Sequence, residues 1–304
     1  MEIIRSTTDF QLNKDTAVAI GKFDGIHVGH RALLQEILEQ KQNGLSACVF
    51  TFDPTPAVLF GQSDGRELST REEKRLCFEQ MGVDILIEYP LTFETAAIEP
   101  ELFVREYLMK RMRARFVAAG EDVSFGRYGA GNAALLRQMG EYTLRIIEKI
   151  CVDGAEVSST RIRGLVEQGH MEEAERLLGA PYTVCGTVVQ GNRIGRTIGF
   201  PTVNLLPPAQ KLLPPNGVYR SRVRLANGRV YKAISNVGCK PTVTDAQVMG
   251  LESYLYGFDE ELYGADIAVE LLDFQRPERK FAGLDALREQ LQRDIANERP
   301  YGQI

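Results

Sequence analysis

The chain has 304 residues, 44% of them apolar and 25% charged, with a net charge of −5 at pH 7. This composition is typical of a globular protein with room for two cores, and the acidic balance argues against a nucleic-acid-binding surface. Residues 1–10 are polar and mixed and no apolar run is long enough to span a bilayer, so we expect neither a signal peptide nor a membrane anchor. The five dispersed cysteines favour reduced thiols and a cytoplasmic protein.

The first half of the chain alternates strand-like and helix-like segments. Strands are predicted by apolar runs at residues 16–20, 47–52, 84–88, 116–119 and 142–147. Because helical patterns separate these runs, we predict a Rossmann-like parallel sheet covered on both faces. Ligands of such sheets bind beyond the carboxyl ends of the strands.

Two helices in this half have recognisable beginnings. The segment 70–81 predicts a helix capped by Thr70, with Glu73 at its third position. A second, long helix is predicted to begin at residues 99–101. Its apolar face is expected to comprise four residues, Leu102, Phe103, Tyr107 and Leu108.

The segment 21–30, Gly-Lys-Phe-Asp-Gly-Ile-His-Val-Gly-His, joins the first predicted strand to a helix beginning near residue 27 or 28. A glycine-containing turn before a helix N-terminus is a natural anion site, because free N–H groups and the helix dipole point the same way. His27 and His30 are three positions apart, so both can project from one side of the first turn. Imidazoles there can donate to phosphate oxygens and, when protonated, offset charge on a departing pyrophosphate.

This segment resembles the GxFDGxHxGH form of the nucleotidyltransferase signature found in bacterial FAD synthetases, the bifunctional riboflavin kinase/FMN adenylyltransferases. The resemblance implies adenylyl transfer from ATP to FMN. The residues that it assigns to ATP or its phosphates in this segment are Gly21, Phe23, Asp24, Gly25, His27 and His30. Asp24 is expected to shape the turn. A phosphate nucleophile is already ionised near neutrality, so this reaction needs alignment and charge neutralisation in place of a strong base.

Further segments of the first half continue the resemblance. Residues 51–54 and 120–126 match loops in which the family places its flavin, which implies flavin contacts from Pro54, Thr55, Asp122 and Phe125. Thr55 stands where the family usually has His, and Val123 stands where it usually has an aromatic residue. These two departures would weaken the adenylyltransferase activity.

The segment 158–163 matches the SSTxxR element of the same family. It places the hydroxyls of Ser159 and Thr160 at a predicted helix start and the guanidinium of Arg163 one turn later. A guanidinium can hold phosphate through two parallel hydrogen bonds, so these three residues are predicted to bind the ATP phosphates.

The pattern changes after residues 179–182, where we place the domain junction, with domains at 1–180 and 181–304. Beyond it, strand-like runs at 184–190, 218–225, 230–236, 249–257 and 267–274 follow one another without intervening helices, and helical spacing returns at 284–295. This order predicts an antiparallel β-barrel with a terminal helix.

Residues 191–205 resemble the riboflavin kinase segment GRxLGFPTAN. Gly195 and Gly199 suit a loop that closes over phosphates. Thr202 and Asn204 offer the oxygen ligands that a Mg²⁺–ATP complex accepts, so we predict the metal site there.

Glu252 stands where the family has the base that takes the proton of the riboflavin hydroxyl, although Tyr254 and Gly257 replace the usual His and Asp. A hydroxyl must lose a proton as it attacks phosphorus, which gives a carboxylate a chemical role. Residues 236–242 and 276–281 match further kinase segments.

The resulting hypothesis is a cytoplasmic enzyme that uses ATP and Mg²⁺ to convert riboflavin to FMN and then FMN to FAD, with no nucleic-acid or membrane partner. Two alternatives stay open: chiefly a riboflavin kinase with a weakened adenylyltransferase, or a flavin- or nucleotide-binding regulator without turnover. The sequence does not determine the oligomeric state.

Overall fold

The structure is a computed structural model that describes residues 1–191, 195, 199–241 and 247–296. The contacts between residues divide the chain into two compact units, 1–159 and 160–304. Among the described residues, no helix combines the length and the apolar character that crossing a membrane would require.

The first unit is built on a six-stranded sheet in which every neighbouring pair is parallel, in the order β1-β4-β3-β2-β5-β6. Its strands are β1 (Glu2–Arg5), β2 (Thr16–Ile20), β3 (Ser46–Asp53), β4 (Ile85–Pro90), β5 (Ala114–Gly120) and β6 (Thr143–Ile147). A small hairpin, β7 (Cys151–Val152) and β8 (Ala155–Glu156), follows. The prediction of a parallel sheet is confirmed. Strand β1, at the edge, was not predicted because it is short and mostly exposed.

Helices connect these strands on both faces of the sheet. They are α1 (Val28–Glu39), α2 (Pro56–Leu59), α3 (Arg71–Met81), α4 (Pro100–Leu102) and α5 (Ala133–Met139), with single 3₁₀ turns at Gln40–Asn43, Thr95–Ala97 and Arg127–Gly129. Separate apolar clusters, containing Phe50 and Leu34 respectively, lie on the two sides of the sheet.

Helix α3 begins as predicted. The Thr70 hydroxyl accepts a hydrogen bond of 3.2 Å from the Glu73 N–H, and the Glu73 carboxylate accepts one of 2.9 Å from the Thr70 N–H. Each end of this reciprocal pair satisfies an N–H that the helix cannot satisfy itself.

The predicted long helix after residue 99 is only partly correct. After α4 the chain continues from Phe103 to Arg111 as a wider π-type helix, and Met112 N–H bonds to Tyr107 C=O at 2.8 Å. The buried face contains Phe103 and Leu108, whereas Leu102 is 49% exposed. Successive residues of a helix lie about 100° apart around its axis, and Leu102 falls on the exposed side, whereas Phe103 and Val104 fall on the buried side.

The second unit contains a closed antiparallel barrel in the order β10-β13-β12-β11-β14-β9, which confirms the predicted architecture. Its strands are β9 (Tyr182–Val189), β10 (Thr202–Leu205), β11 (Gly217–Leu225), β12 (Val230–Pro241), β13 (Gln247–Leu255) and β14 (Asp266–Arg276). Strand β10 was not among the predicted strands. Its pairing with β9 and β13 closes the barrel.

Three further helices lie within the described residues. They are α6 (Ser159–Gln168), α7 (Met171–Leu178) and the terminal α8 (Leu284–Ala296). Helix α7 packs against β9 and β14, and the Arg276 guanidinium on β14 pairs with the Asp294 carboxylate on α8 at 2.6 Å. Residues 160–178 therefore group with the barrel, and the proposed domain boundary at residue 180 stays a prediction.

Candidate active sites

The turn between β2 and α1 lies at the carboxyl edge of the parallel sheet. β2 ends at Ile20 and α1 begins at Val28. Gly25 has φ of +83°, a backbone conformation that side chains disfavour, so glycine suits this position. The turn thus brings the start of α1 to the edge where ligands of such sheets bind.

His27 and His30 are brought together as predicted. Their rings stack with centroids 3.8 Å apart and planes inclined by 19°. His27 Nδ1 accepts a hydrogen bond of 3.3 Å from the backbone N–H of His30, so His27 itself caps α1. Because Nδ1 is an acceptor, the proton of neutral His27 lies on Nε2. His30 Nδ1 is buried and has no hydrogen-bond partner among the residues that the structure describes, which leaves a polar atom available to a ligand.

Both imidazoles are uncharged at neutral pH in this structure. Burial lowers the pKa of His27 to about 4, although the Asp24 and Asp122 carboxylates act in the opposite direction. Burial, followed by repulsion from His27, holds the pKa of His30 well below its usual range. The rings therefore act first as neutral hydrogen-bonding groups, and phosphate charge would be needed to favour their protonated forms.

The side chain of Phe23 is fully buried, and its predicted contact with ATP stays a prediction. Its ring packs edge-on against Phe78, with centroids 5.5 Å apart, and lies 5.1 Å from the His30 ring. A Cβ at Gly21 would lie 3.0 Å from that ring. The Phe23 ring therefore packs against the His30 ring, and the absence of a side chain at Gly21 leaves room for the Phe23 ring.

Asp24 shapes the turn, as expected. Its Oδ1 accepts hydrogen bonds from the backbone N–H groups of Leu68 at 2.8 Å and Ser69 at 3.3 Å. Its carbonyl oxygen accepts one of 2.9 Å from the Ser159 hydroxyl. Ser159 thus fixes the start of α6 to the turn. Thr160 and Arg163 lie in the first turn of α6, within the second unit, and their binding of phosphate stays a prediction.

The four predicted flavin contacts differ in exposure. Pro54 follows β3 through a cis peptide bond, and Thr55 is the N-cap residue of α2. Asp122 is exposed and within electrostatic reach of His27. Phe125 is only 3% exposed and packs on Phe103 with centroids 5.2 Å apart, and its contact with flavin stays a prediction. The other three stay predictions.

In the second unit, Glu252 lies beside the predicted metal ligands. The Thr202 hydroxyl donates a hydrogen bond of 2.6 Å to Glu252 Oε1. Asn204 is the direct cross-strand neighbour of Glu252 in the pairing of β10 with β13. Leu251 and Ser253, on either side of Glu252, are buried in the barrel, so Glu252 points to the outer face with Asn204.

Glycines surround this group of side chains. A Cβ at Gly191 would overlap the Asn204 amide, and a Cβ at Gly195 would overlap the Phe200 carbonyl and lie 3.4 Å from Thr202 Oγ1. Gly199 has φ of +83° and is exposed. The rest of the predicted phosphate loop, residues 192–194 and 196–198, lies outside the described residues, as does Thr242 of the later kinase segment.

Sequence reasoning did not assign a role to Asn236, which the structure places next to Glu252. In the pairing of β12 with β13, Asn236 is directly opposite Glu252, on the side away from Asn204. A polar row, Asn204–Glu252–Asn236, therefore crosses three strands on the outer face. Polar residues at alternate positions of adjacent predicted strands were the available signal, but the register was needed to align them.

Comparison with known proteins matches both units. The FAD synthetase family profile matches residues 9–161, and the riboflavin kinase family profile matches residues 178–301. The fold and its sites thus define a two-domain protein of the flavin-nucleotide transferase class.

Relatives with both halves extend this match over nearly the whole chain. A bifunctional riboflavin kinase/FMN adenylyltransferase of Listeria monocytogenes is 35% identical over 97% of this chain and 95% of its own length. The protein of the same name in Escherichia coli K12 is 35% identical over 93% of this chain and 92% of its own. The chain belongs to the bifunctional riboflavin kinase/FMN adenylyltransferase family.

One solved structure has the same fold throughout. A crystal structure described as a macrolide-efflux protein from Streptococcus pneumoniae superposes with a TM-score of 0.85, at 30% identity over 97% of each chain. That description concerns the other protein, and what the two chains share is the fold.

Proposed function

We propose that this chain is a bifunctional enzyme that phosphorylates riboflavin to FMN and then adenylylates FMN to FAD, with ATP as the co-substrate of both steps. The observation that carries the proposal is the contact between Thr202 and Glu252 on the outer face of the barrel. A carboxylate beside hydroxyl and amide oxygens is a suitable arrangement for deprotonating an alcohol next to a bound nucleotide.

In the kinase step, Glu252 accepts the proton of the riboflavin primary hydroxyl while that oxygen bonds to the γ-phosphorus of ATP. The bond from the γ-phosphorus to the bridging oxygen breaks, and ADP leaves. The Thr202 hydroxyl donates to Oε1, which orients the carboxylate. Positioning of this kind accounts for much of the catalysis in phosphoryl transfer.

Thr202 and Asn204 would hold Mg²⁺ with the ATP phosphates. The donor set fits, because the Thr202 hydroxyl oxygen keeps its lone pairs while its proton points to Glu252, and the absence of a side chain at Gly191 leaves room for the Asn204 amide. When bound, the ion neutralises charge on the transferred phosphoryl group.

In the adenylyltransferase step, a phosphate oxygen of FMN attacks the α-phosphorus of ATP, and pyrophosphate leaves. His27 Nε2 and His30 would donate hydrogen bonds to the phosphate oxygens as charge develops on the leaving group. Gly25, Asp24 and Ser159 hold the turn that presents them. For Thr160 and Arg163 we propose a role in binding ATP phosphates.

We further propose that the enzyme works in the cytoplasm on small molecules alone. The support is that none of the five cysteines, all of them among the described residues, forms a disulfide and that Cys48 is fully buried, as in proteins of a reducing compartment.

The test is a product assay with Mg²⁺ and ATP, started once from riboflavin and once from FMN, with the flavins separated by chromatography. The proposal expects FMN and then FAD from riboflavin, and FAD directly from FMN. FMN without FAD would identify a kinase with an impaired adenylyltransferase, as the departures at Thr55 and Val123 would explain. Flavin binding without either product would identify a regulator and overturn the proposal.

A further inference from the structure

A second carboxylate lies close to the kinase site on the outer face of the barrel. Glu278, in the segment that follows β14, accepts a hydrogen bond of 2.9 Å from Asn236 Nδ2 through Oε1, and Asn216 Nδ2 lies 3.5 Å from its Oε2. One carboxylate thus connects β12 with the residue just before β11. Asn236 in turn is the cross-strand neighbour of Glu252.

The chain leaves a specific space for this carboxylate. Gly238 lies two positions after Asn236 on the same face of β12, and a Cβ there would overlap Glu278 Oε1. Gly238 has no left-handed backbone conformation that would require glycine. The close approach of the Glu278 carboxylate therefore explains why a side chain would not fit at this position.

The hydrogen bonds of Glu278 fix the orientation of the Asn236 amide and add little to the free energy of unfolding. Glu278 is exposed, and hydrogen bonds at an exposed carboxylate are weak contributors to the free energy of unfolding. What they do fix is the Asn236 amide: with one Nδ2 proton directed to Glu278, its Oδ1 must face elsewhere on the outer face. The polar row beside Glu252 therefore ends in an oriented amide.

We propose that Glu278 is a positioning residue of the kinase site, acting through Asn236 to orient the ribityl hydroxyls of riboflavin beside Glu252. This inference rests on the proposed riboflavin kinase activity. The substrate carries a chain of hydroxyls next to the one that reacts, and each needs a partner as water leaves. The oriented amide of Asn236, beside Glu252, supplies such a hydrogen-bond partner for the substrate without contacting ATP.

The test compares four forms of the full chain: wild type, Glu278→Ala, Gly238→Ala and the double variant. FMN formation is measured with riboflavin and ATP varied separately. For each single variant we expect kcat/KM for riboflavin to fall about tenfold, the scale of one lost charge-assisted hydrogen bond, with KM for ATP unchanged. Because removal of the carboxylate leaves room for the new methyl group, the double variant should be no worse than Glu278→Ala alone.

Two controls separate positioning from a structural role. Glu278→Gln keeps an acceptor for Asn236 and should recover most of the activity, and Glu260→Ala removes an exposed carboxylate of the same unit, paired with Arg229, without effect. Unchanged kcat/KM in Glu278→Ala, additive losses in the double variant, or a parallel change in KM for ATP would each overturn the inference. If the wild type forms no FMN, the proposed function itself fails.

Discussion

Thr202 Oγ1 and Glu252 Oε1 lie 2.6 Å apart although 50 positions separate the two residues in the chain. The contact exists because β10 and β13 pair antiparallel, with Asn204 opposite Glu252 and Thr202 opposite Tyr254. Thr202 is therefore diagonal to Glu252 on the same face, within reach of a side-chain hydrogen bond. The predicted base and the predicted metal ligands form one site.

Glu252→Gln should abolish most FMN formation. The substitution keeps the shape and the hydrogen bond with Thr202 but cannot accept the alcohol proton, so we expect kcat to fall by a factor of about 100 or more. KM for ATP should change little. The measurement is FMN formation from riboflavin, with FAD formation from supplied FMN as the internal control. Loss of both activities would show that the two reactions are not divided between the two units.

His30→Ala should impair FAD formation alone. It removes a ring that stacks on His27 and whose Nδ1 has no hydrogen-bond partner in the described part of the chain. We expect FAD formation from FMN to fall about 100-fold, as when a preorganised donor is lost from a transition state. His170→Ala is the matched control, since that exposed imidazole immediately precedes α7 and lies beside Glu173. An equal fall in the kinase rate would contradict the assignment.

Stability should depend on pH through His27. Burial lowers its pKa from 6.5 to about 4, so between these values the unfolded chain binds the proton and the folded protein does not. The contribution is present above about pH 6.5 and is lost as the pH falls toward 4, by about 2 kcal/mol between pH 7 and pH 5. Urea unfolding followed by circular dichroism measures it.

The comparison for this pH dependence is His27→Asn, because asparagine can still cap α1 but does not titrate. The difference in free energy of unfolding between pH 7 and pH 5 should be smaller in the variant by roughly that amount. Equal pH dependence in both proteins would show that His27 is not protonated on unfolding in this range.

Thr70→Ala should destabilise the first unit without changing the chemistry of either site. It removes the acceptor for the Glu73 N–H, and the expected loss is about 1 kcal/mol in the free energy of unfolding. Thr70→Ser keeps the hydroxyl and should restore nearly all of it. A Thr70→Ala protein as stable as wild type would mean that the capping box contributes nothing measurable here.

Local patterns carried much of the prediction. The buried strand at 16–20, the start of α3 at Thr70 and the paired histidines depend on residues within a few positions of one another, so their spacing alone determines them. The barrel was predicted from strand-like runs that follow one another without helices between them, which is a property of the order of elements along the chain.

The sequence by itself thus determined most of the element types, the fold class of each half and the helix tip with two imidazoles. The tertiary structure alone decided that Phe23 and Phe125 are buried supports, that β10 is a strand, and that Asn236 and Glu278 lie near Glu252. The reason is physical: propensity and periodicity act over one turn or one strand, whereas burial and strand register depend on distant segments packing together.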